Sequence, residues 1–453
     1  MSPSIASEYG ARPRFWFAVY QLLWHLLLPL AFIRLAWRSR HAFAYLHHIP
    51  ERLGFGYRKP ITQGVVWIHA VSVGETRAAQ PLIEAYLAKG ESILLTHMTL
   101  NGRRTGKQLF AKEIAAGQIR QVYLPYDLCW SVEHFLNTFK PKIGLFMETE
   151  AWPTVVFRCA DKGLPLFLVN ARLSERSARR VNQFGKAGRA LFQAFAGILA
   201  QTEFDVQRYR SLGVKNIEVV GNLKFDVPLD PALVQQGNVW KEHIHTSQRL
   251  MVCAASTRDG EEAIILKAWK DLMLNHAFAV RPLLCLVPRH PERFSEVADQ
   301  IHTTGLKFRR RSEWEAIPKD NLDLDVVLGD SMGEMPMYYS ASDLVVMGGS
   351  LLRFGGQNLI EACAAGCPVL LGEHTYNFQQ ASIDALASGA AKQIKGDLLL
   401  GEPIALMEAL KSLLLNPADL AQMATAAKTY SIEHQGATKR ILAALDQQHF
   451  SLT

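Results

Sequence analysis

Short, unbroken apolar runs alternate with longer amphipathic stretches through most of this chain. VVWIHA (65–70), SILLTHMT (92–99), QVYLPY (121–126), IGLFMETE (143–150), LPLFLVN (164–170) and GILAQTE (197–203) form a first series. Runs that do not alternate apolar with polar predict strands buried on both faces, hence a parallel sheet wrapped by helices. The series pauses over 222–248, a polar stretch with two prolines that reads as a linker followed by a helix. A second series follows: RLMVCAAS (249–256), PLLCLVPRH (282–290), DVVLGD (325–330), DLVVMGGS (343–350) and PVLLGE (368–373). Two such series predict an α/β chain of two doubly wound, Rossmann-like domains facing a cleft, with ligands beyond the carboxyl ends of the strands. The expected division is an anchor with its basic flank over 1–45, an N-terminal domain over 46–225 and a C-terminal domain over 226–453.

The N-terminal segment breaks the pattern. Phe15–Ile33 carries no charged side chain, is bounded by Arg12 and Arg14 on one side and by Arg34, Arg38 and Arg40 on the other, and contains Gln21, His25 and Pro29. Its length suits a helix that crosses a bilayer or one that lies in the interface, where Trp16, Trp24 and Trp37 would sit well. Charge sharpens this reading. Residues 1–60 hold eight Lys and Arg against two Glu, so nearly all of the net charge of +7 flanks the apolar segment. That placement implies an anionic membrane surface as partner and speaks against nucleic acid. With 49% hydrophobic and 20% charged residues the chain is neither disordered nor fibrous. Six scattered cysteines without CxxC pairs suit a reducing compartment, so the globular part is expected on the cytoplasmic side.

Nucleotide fingerprints are missing where a dehydrogenase or P-loop ATPase would need them. GFGYRK (54–59) lacks the third glycine, and GRRTGKQ (102–108) is one residue short, with Gln108 in place of a magnesium-binding hydroxyl. His69, His97, His290 and His374 stand near strand ends at spacings that match no usual metal site, so no metal is expected. The chemistry-bearing residues instead gather at the ends of predicted strands. Glu75 opens a helix after the first strand and is either a first-turn helix acid or a carboxylate that accepts a proton from an incoming hydroxyl. Glu148 and Glu150 end the fourth strand as a pair of carboxylates. Gly355 and Gly356 precede a helix beginning near Asn358, with Glu361 one turn in, an arrangement that suits phosphate and ribose. Arg289 at another strand end offers bidentate geometry to a phosphate.

Taken together, HAVSVGET, TLNGRRTG, METEAWP, NARLSERS, GNLKFD, STRDGEE, VPRHPERF, GDSMGEM, GGSL and GGQNLIEA, in this order, resemble the 3-deoxy-D-manno-octulosonic acid (Kdo) transferases, lipopolysaccharide glycosyltransferases of GT-B fold. The resemblance implies transfer of Kdo from CMP-Kdo to a tetraacylated lipid A precursor at the cytoplasmic face of the inner membrane, with inversion, and no cofactor. It implies Glu75 as the general base, with Glu148 and Lys224 as transition-state stabilisers. CMP would be held by Pro288 and Arg289, by Met332, Gly333 and Glu334, and by Asn358, Leu359, Ile360 and Glu361. The family more often has GGHNPLE where this chain has Gln357 and Ile360, which puts any imidazole role there in doubt. The same scaffold with a UDP-sugar donor is the alternative, as is a membrane-attached sugar-nucleotide binding protein without catalysis.

Overall fold

The computed structural model describes residues 11–39, 47–57, 64–276, 278–316, 323–394 and 403–450. Of the basic flank, Arg40, Arg58 and Lys59 and the side chains of Arg12, Arg14 and Arg38 lie outside the described residues. The chain divides into two compact units, Met1–Val227 with Gln435–Thr453, and Pro228–His434.

Each unit is built on a seven-stranded, wholly parallel sheet. In the first, β1 (Val66–His69), β2 (Ile93–His97), β3 (Ile119–Tyr123), β4 (Ile143–Met147), β5 (Leu166–Ala171), β6 (Gly197–Ala200) and β7 (Ile217–Val219) lie in the order β3-β2-β1-β4-β5-β6-β7. In the second, β8 (Met251–Thr257), β9 (Leu283–Pro288), β10 (Phe308–Arg310), β11 (Val326–Leu328), β12 (Leu344–Met347), β13 (Val369–Leu371) and β14 (Ala391–Gln393) lie in the order β10-β11-β9-β8-β12-β13-β14. The apolar runs are these strands, and helices cover both faces as doubly apolar strands require. Three strands carry no such run: β7, β10 and β14 are three-residue outer strands, partly exposed, and need only backbone pairing to form.

Side chains alternate across the first sheet. Trp67 packs with Phe135, Phe139 and Phe146 on one face. Val66 and Ile68 face the other, together with Ala437, Ile441, Ala444 and Leu445. Those last four recur at helical spacing on the terminal helix Ala437–Phe450. The expected boundary at 225/226 therefore needs a correction, because the last helix does not belong to the second sheet. Its apolar stripe is buried against the first, and the Asp226 carboxylate accepts the N–H groups of Gly436 and Thr438, both at 2.6 Å, at the start of that helix.

The N-terminal helix spans Ala11–Ser39, and Phe15–Trp37 is long and apolar enough to cross a membrane by length and composition. One stripe of it lies against the first unit. Phe17 meets Phe157 edge-on at 5.9 Å, Trp24 stacks on Tyr126 at 5.7 Å, Phe32 meets Tyr126 at 6.3 Å and Leu35 is buried. Gln21 is fully used: its amide donates to Thr154 Oγ1 (2.6 Å) and the Asp127 carbonyl (3.0 Å), and its Oε1 accepts from Cys129 N–H. Tyr20 OH donates to Asp127 Oδ2 at 2.7 Å. The opposite face, including Phe15, Trp16, Leu22, Leu26, Leu30, Ile33 and Trp37, is exposed.

Truncating Ile441 removes a fully buried side chain from the first unit alone. Ile441→Ala is expected to cost about 2–5 kcal/mol. Hydrogen exchange resolved by peptide should show lost protection in β1 and β4 while β8 and β9 keep theirs.

Candidate active site

In the first unit the chemistry gathers where β1, β4 and β5 end. Ser72 caps the short helix Val73–Ala78 and forms a reciprocal capping box with Glu75: Ser72 Oγ accepts the Glu75 N–H at 3.4 Å, and Ser72 N–H donates to Glu75 Oε2 at 2.7 Å. The helix acid and the candidate base are thus the same residue. Only 8% of Glu75 is exposed. Burial raises its pKa, the bonds to Ser72 temper the rise and the Glu148 charge adds to it.

Strand β4 stops at Met147, earlier than the sequence reading assumed. Glu148 turns into the left-handed region at φ 56°, and Glu150 N–H closes a turn onto the Met147 carbonyl at 3.3 Å. Neither Glu148 nor Glu150 lies on the strand, so the two-residue alternation of a strand places neither of them. Glu148 is 5% exposed, with Oε1 2.8 Å from Lys224 Nζ and Oε2 3.1 Å from Arg172 Nε. Burial works to raise its pKa, but the ammonium and the guanidinium outweigh that and hold it below the usual carboxylate value.

Lys224 is placed by a short relay. Asn170, at the end of β5 and also left-handed at φ 52°, accepts the Leu223 N–H on Oδ1 at 3.0 Å, and Asn222 Oδ1 accepts the Lys224 N–H at 3.0 Å. Two neighbouring strands therefore end in non-glycine residues of positive φ, the kind of backbone strain that collects at functional sites.

Glu150 stood among the strand-end carboxylates without a role, and Arg172 was missed as a site residue. Burial first, then the Glu75 and Glu148 charges, push Glu150 up to about 7, against a 2.8 Å hydrogen bond from Trp152 Nε1 that lowers it. Three carboxylates thus lie within electrostatic reach of one another beside two cations, and burial, reinforced by the neighbouring negative charges, raises the proton affinity of Glu75 and Glu150. The signal available in the sequence was Pro153, which opens the next helix and leaves 148–152 too short for anything but a turn.

The histidines near these strands play another part. His69 and His97 are wholly buried and held neutral, near pKa 3 and 4, chiefly by burial; they bond Thr96 Oγ1 (2.9 Å) and the Ala70 carbonyl (2.8 Å). Among the described residues no three His, Cys, Asp or Glu side chains converge to hold a metal.

In the second unit the remaining candidates stand beyond the carboxyl ends of β9, β11 and β12. β9 ends at buried Pro288, and Arg289, whose N–H reaches the Thr257 carbonyl, is exposed. After β11, Met332 is 60% exposed beside Gly333 at φ 88°, while the Glu334 carboxylate is held by Arg311 Nη2 (3.0 Å), Tyr338 OH (3.2 Å) and Ser331 Oγ. Asn358 caps Leu359–Ala364, accepting from Ile360 N–H at 3.2 Å and donating to Glu361 Oε1 at 2.9 Å. Leu359 and Ile360 are buried in the core, so only their backbone is left to meet a ligand. Enclosed Tyr339 is raised by burial and by the Glu361 charge and lowered by Arg289, which brings both charges within reach of one ring.

The loop above these residues is braced by Glu261. Its fully buried carboxylate accepts the N–H groups of Gly349 (2.6 Å), Leu351 (3.0 Å), Leu352 (3.2 Å) and Arg258 (2.8 Å). Gly348 packs so tightly that a Cβ there would lie 2.4 Å from the Ser256 carbonyl oxygen.

A family model described as 3-Deoxy-D-manno-octulosonic-acid transferase (kdotransferase) matches residues 47–227. A 3-deoxy-D-manno-octulosonic acid transferase of Bordetella pertussis is 43% identical over 434 residues, 94% of this chain and 98% of that protein. One of Haemophilus influenzae is 33% identical over 438 residues, 94% and 97% of the two chains. Among solved structures, a UDP-GlcNAc 2-epimerase from Neisseria meningitidis bound to UDP-GlcNAc is similar at a TM-score of 0.57 and 16% identity, covering 85% of this chain and 100% of that one, a likeness of fold.

Neutral Glu150 contributes stability that is fully present below about pH 4.3 and lost as pH rises through about 7. Glu150→Gln keeps an acceptor for Trp152 and removes this dependence. Between pH 4.5 and 8 the wild type is expected to lose about 3 kcal/mol more than the variant in denaturant melts.

Proposed function

This chain belongs to the 3-deoxy-D-manno-octulosonic acid (Kdo) transferase family, glycosyltransferases of GT-B fold, and on that premise we propose that it moves Kdo from CMP-Kdo to a lipid A precursor with inversion, at the cytoplasmic face of the inner membrane. The first unit is the acceptor domain and the second the CMP-sugar domain. The observation that carries the reading is the buried Glu75, whose raised proton affinity suits a base for a sugar hydroxyl.

In the proposed step the acceptor oxygen attacks the anomeric carbon of Kdo and its proton passes to Glu75. The bond from that carbon to the phosphate oxygen breaks, and CMP leaves with the electron pair. The reacting carbon gains positive charge on the way. Glu148, kept ionised by Lys224 and Arg172, supplies a fixed negative charge for it. A retaining route would need a second carboxylate as nucleophile at short range, and Glu148 is already occupied on both oxygens.

On the donor side, Arg289 is the exposed cation suited to the phosphate. Gly333 and Leu359 offer backbone N–H groups, Ile360 N–H being taken by the Asn358 cap, and Glu361 keeps Oε2 for a ribose hydroxyl. Glu334 is tied by three side chains, so its part is to shape the loop that carries Met332 and Gly333. The exposed face of the N-terminal helix supports membrane attachment.

The test is mass spectrometry of lipid product formed from CMP-Kdo and a tetraacylated lipid A precursor. Glu75→Ala is expected to lower turnover by about 10²–10⁴-fold, the usual worth of a general base, while CMP affinity by calorimetry stays within about threefold. An active Glu75→Ala enzyme overturns the assignment. The base must also be deprotonated to act, so the acid limb of kcat/KM against pH should lie above the value of about 4.3 of a free glutamate.

A further inference from the structure

A groove of about 530 Å³ lies within the first unit, between the N-terminal helix and the helices Glu175–Gln183 and Gly185–Gln193. That volume is in the range of ligand pockets, about 300–1,000 Å³. Phe17 and Leu23 stand in one wall, and Phe157, Leu173, Phe184 and Leu191 in the others. We propose that this groove takes one acyl chain of the lipid acceptor and delivers its headgroup to the carboxylate cluster; the inference rests on the function proposed above.

Three observations select an acyl chain. The first is where the groove ends. Thr149 and Ala151, the immediate neighbours of Glu148 and Glu150, line it together with Arg172, whose Nε is bonded to Glu148. A chain lying here emerges beside the proposed site.

The second is what the groove opens onto. Trp16 and Phe184, 51% and 64% exposed, stand among its lining residues, and the wall helix carries Leu22, Leu26, Leu30 and Ile33 on its exposed face. The apolar lining is thus continuous with the surface suited to hydrocarbon. The bonds of Gln21 and Tyr20 to Asp127 and Thr154 hold this helix along the unit, so the wall is fixed by satisfied polar groups. A helix so held meets lipid with its outer face only, which is the geometry of an interfacial helix.

The third is charge. Between residues 174 and 193 stand Arg176, Arg179, Arg180, Lys186 and Arg189 against Glu175 alone, all exposed. Basic residues on the two helices that wall an apolar groove fit a lipid with anionic groups at its head.

Filling the groove separates this inference from the function it rests on. Ala187 and Ser177 both line it and are partly exposed, so a larger side chain enters the groove from the wall. In Ala187→Trp and Ser177→Trp, the ratio of kcat/KM for the tetraacylated acceptor to that for the same disaccharide stripped of its acyl chains should fall at least about tenfold. An unchanged ratio in both folded variants overturns the proposal. If the wild type transfers Kdo to neither acceptor, the function fails while the groove is still read directly, by photolabelling the wild type in mixed micelles with phosphatidic acid bearing a diazirine on its acyl chain. Label on Phe157, Leu173 and Leu191 supports an acyl-chain groove; label confined to Leu22, Leu26 and Leu30 overturns it.

Discussion

A carboxylate buried at 5% exposure stays ionised only when charge of the opposite sign is close, and in the first unit Glu148 has it on both oxygens. Much around it follows from that requirement. Lys224 must be brought in from a distant turn, which the Asn170 and Asn222 side chains accomplish through backbone bonds. Arg172 must follow β5 directly. With those two cations committed to Glu148, the neighbouring carboxylates are left short of compensation, and burial then makes Glu75 and Glu150 better proton acceptors than free glutamates. The same arrangement that fixes one negative charge tunes two others.

The second unit meets a different demand, which is to present backbone rather than charge. Buried Glu261 gathers four N–H groups of its own chain and so shapes the glycine-rich loop after β12. Glu334 is held by Arg311, Ser331 and Tyr338 for a similar end. These acids organise loops, and the exposed Arg289 is a cation in that unit suited to a phosphate.

The N-terminal helix shows how a polar residue inside an apolar segment can be read two ways. Gln21 weakens the segment as an isolated span, because an unpaired amide in hydrocarbon costs several kcal/mol, on the order of 2–7. Bonded to Thr154, Asp127 and Cys129 it becomes the means of docking. The apolar face opposite is left for lipid.

By itself the sequence determined the local features, those that depend on residues near one another. The buried strands follow from unbroken apolar runs, the N-terminal helix from an uncharged segment between basic flanks, and the ends of strands from clustered polar and glycine residues. Motif order supplied Glu75, Glu148 and Lys224 through resemblance to a family. Tertiary structure decided what depends on partners far along the chain. The stripe on Ala437–Phe450 is visible as an amphipathic pattern, but nothing in that pattern names the sheet it covers; burial against Val66 and Ile68 does. Likewise METE contains two carboxylates in any reading. Pro153 marks the turn that ends β4, but that Glu148 then meets Lys224 and Arg172 while half-buried Glu150 lies near Glu75 is set by ladder bonds and ion pairs to residues 21 to 76 positions away, and such contacts carry no local signature.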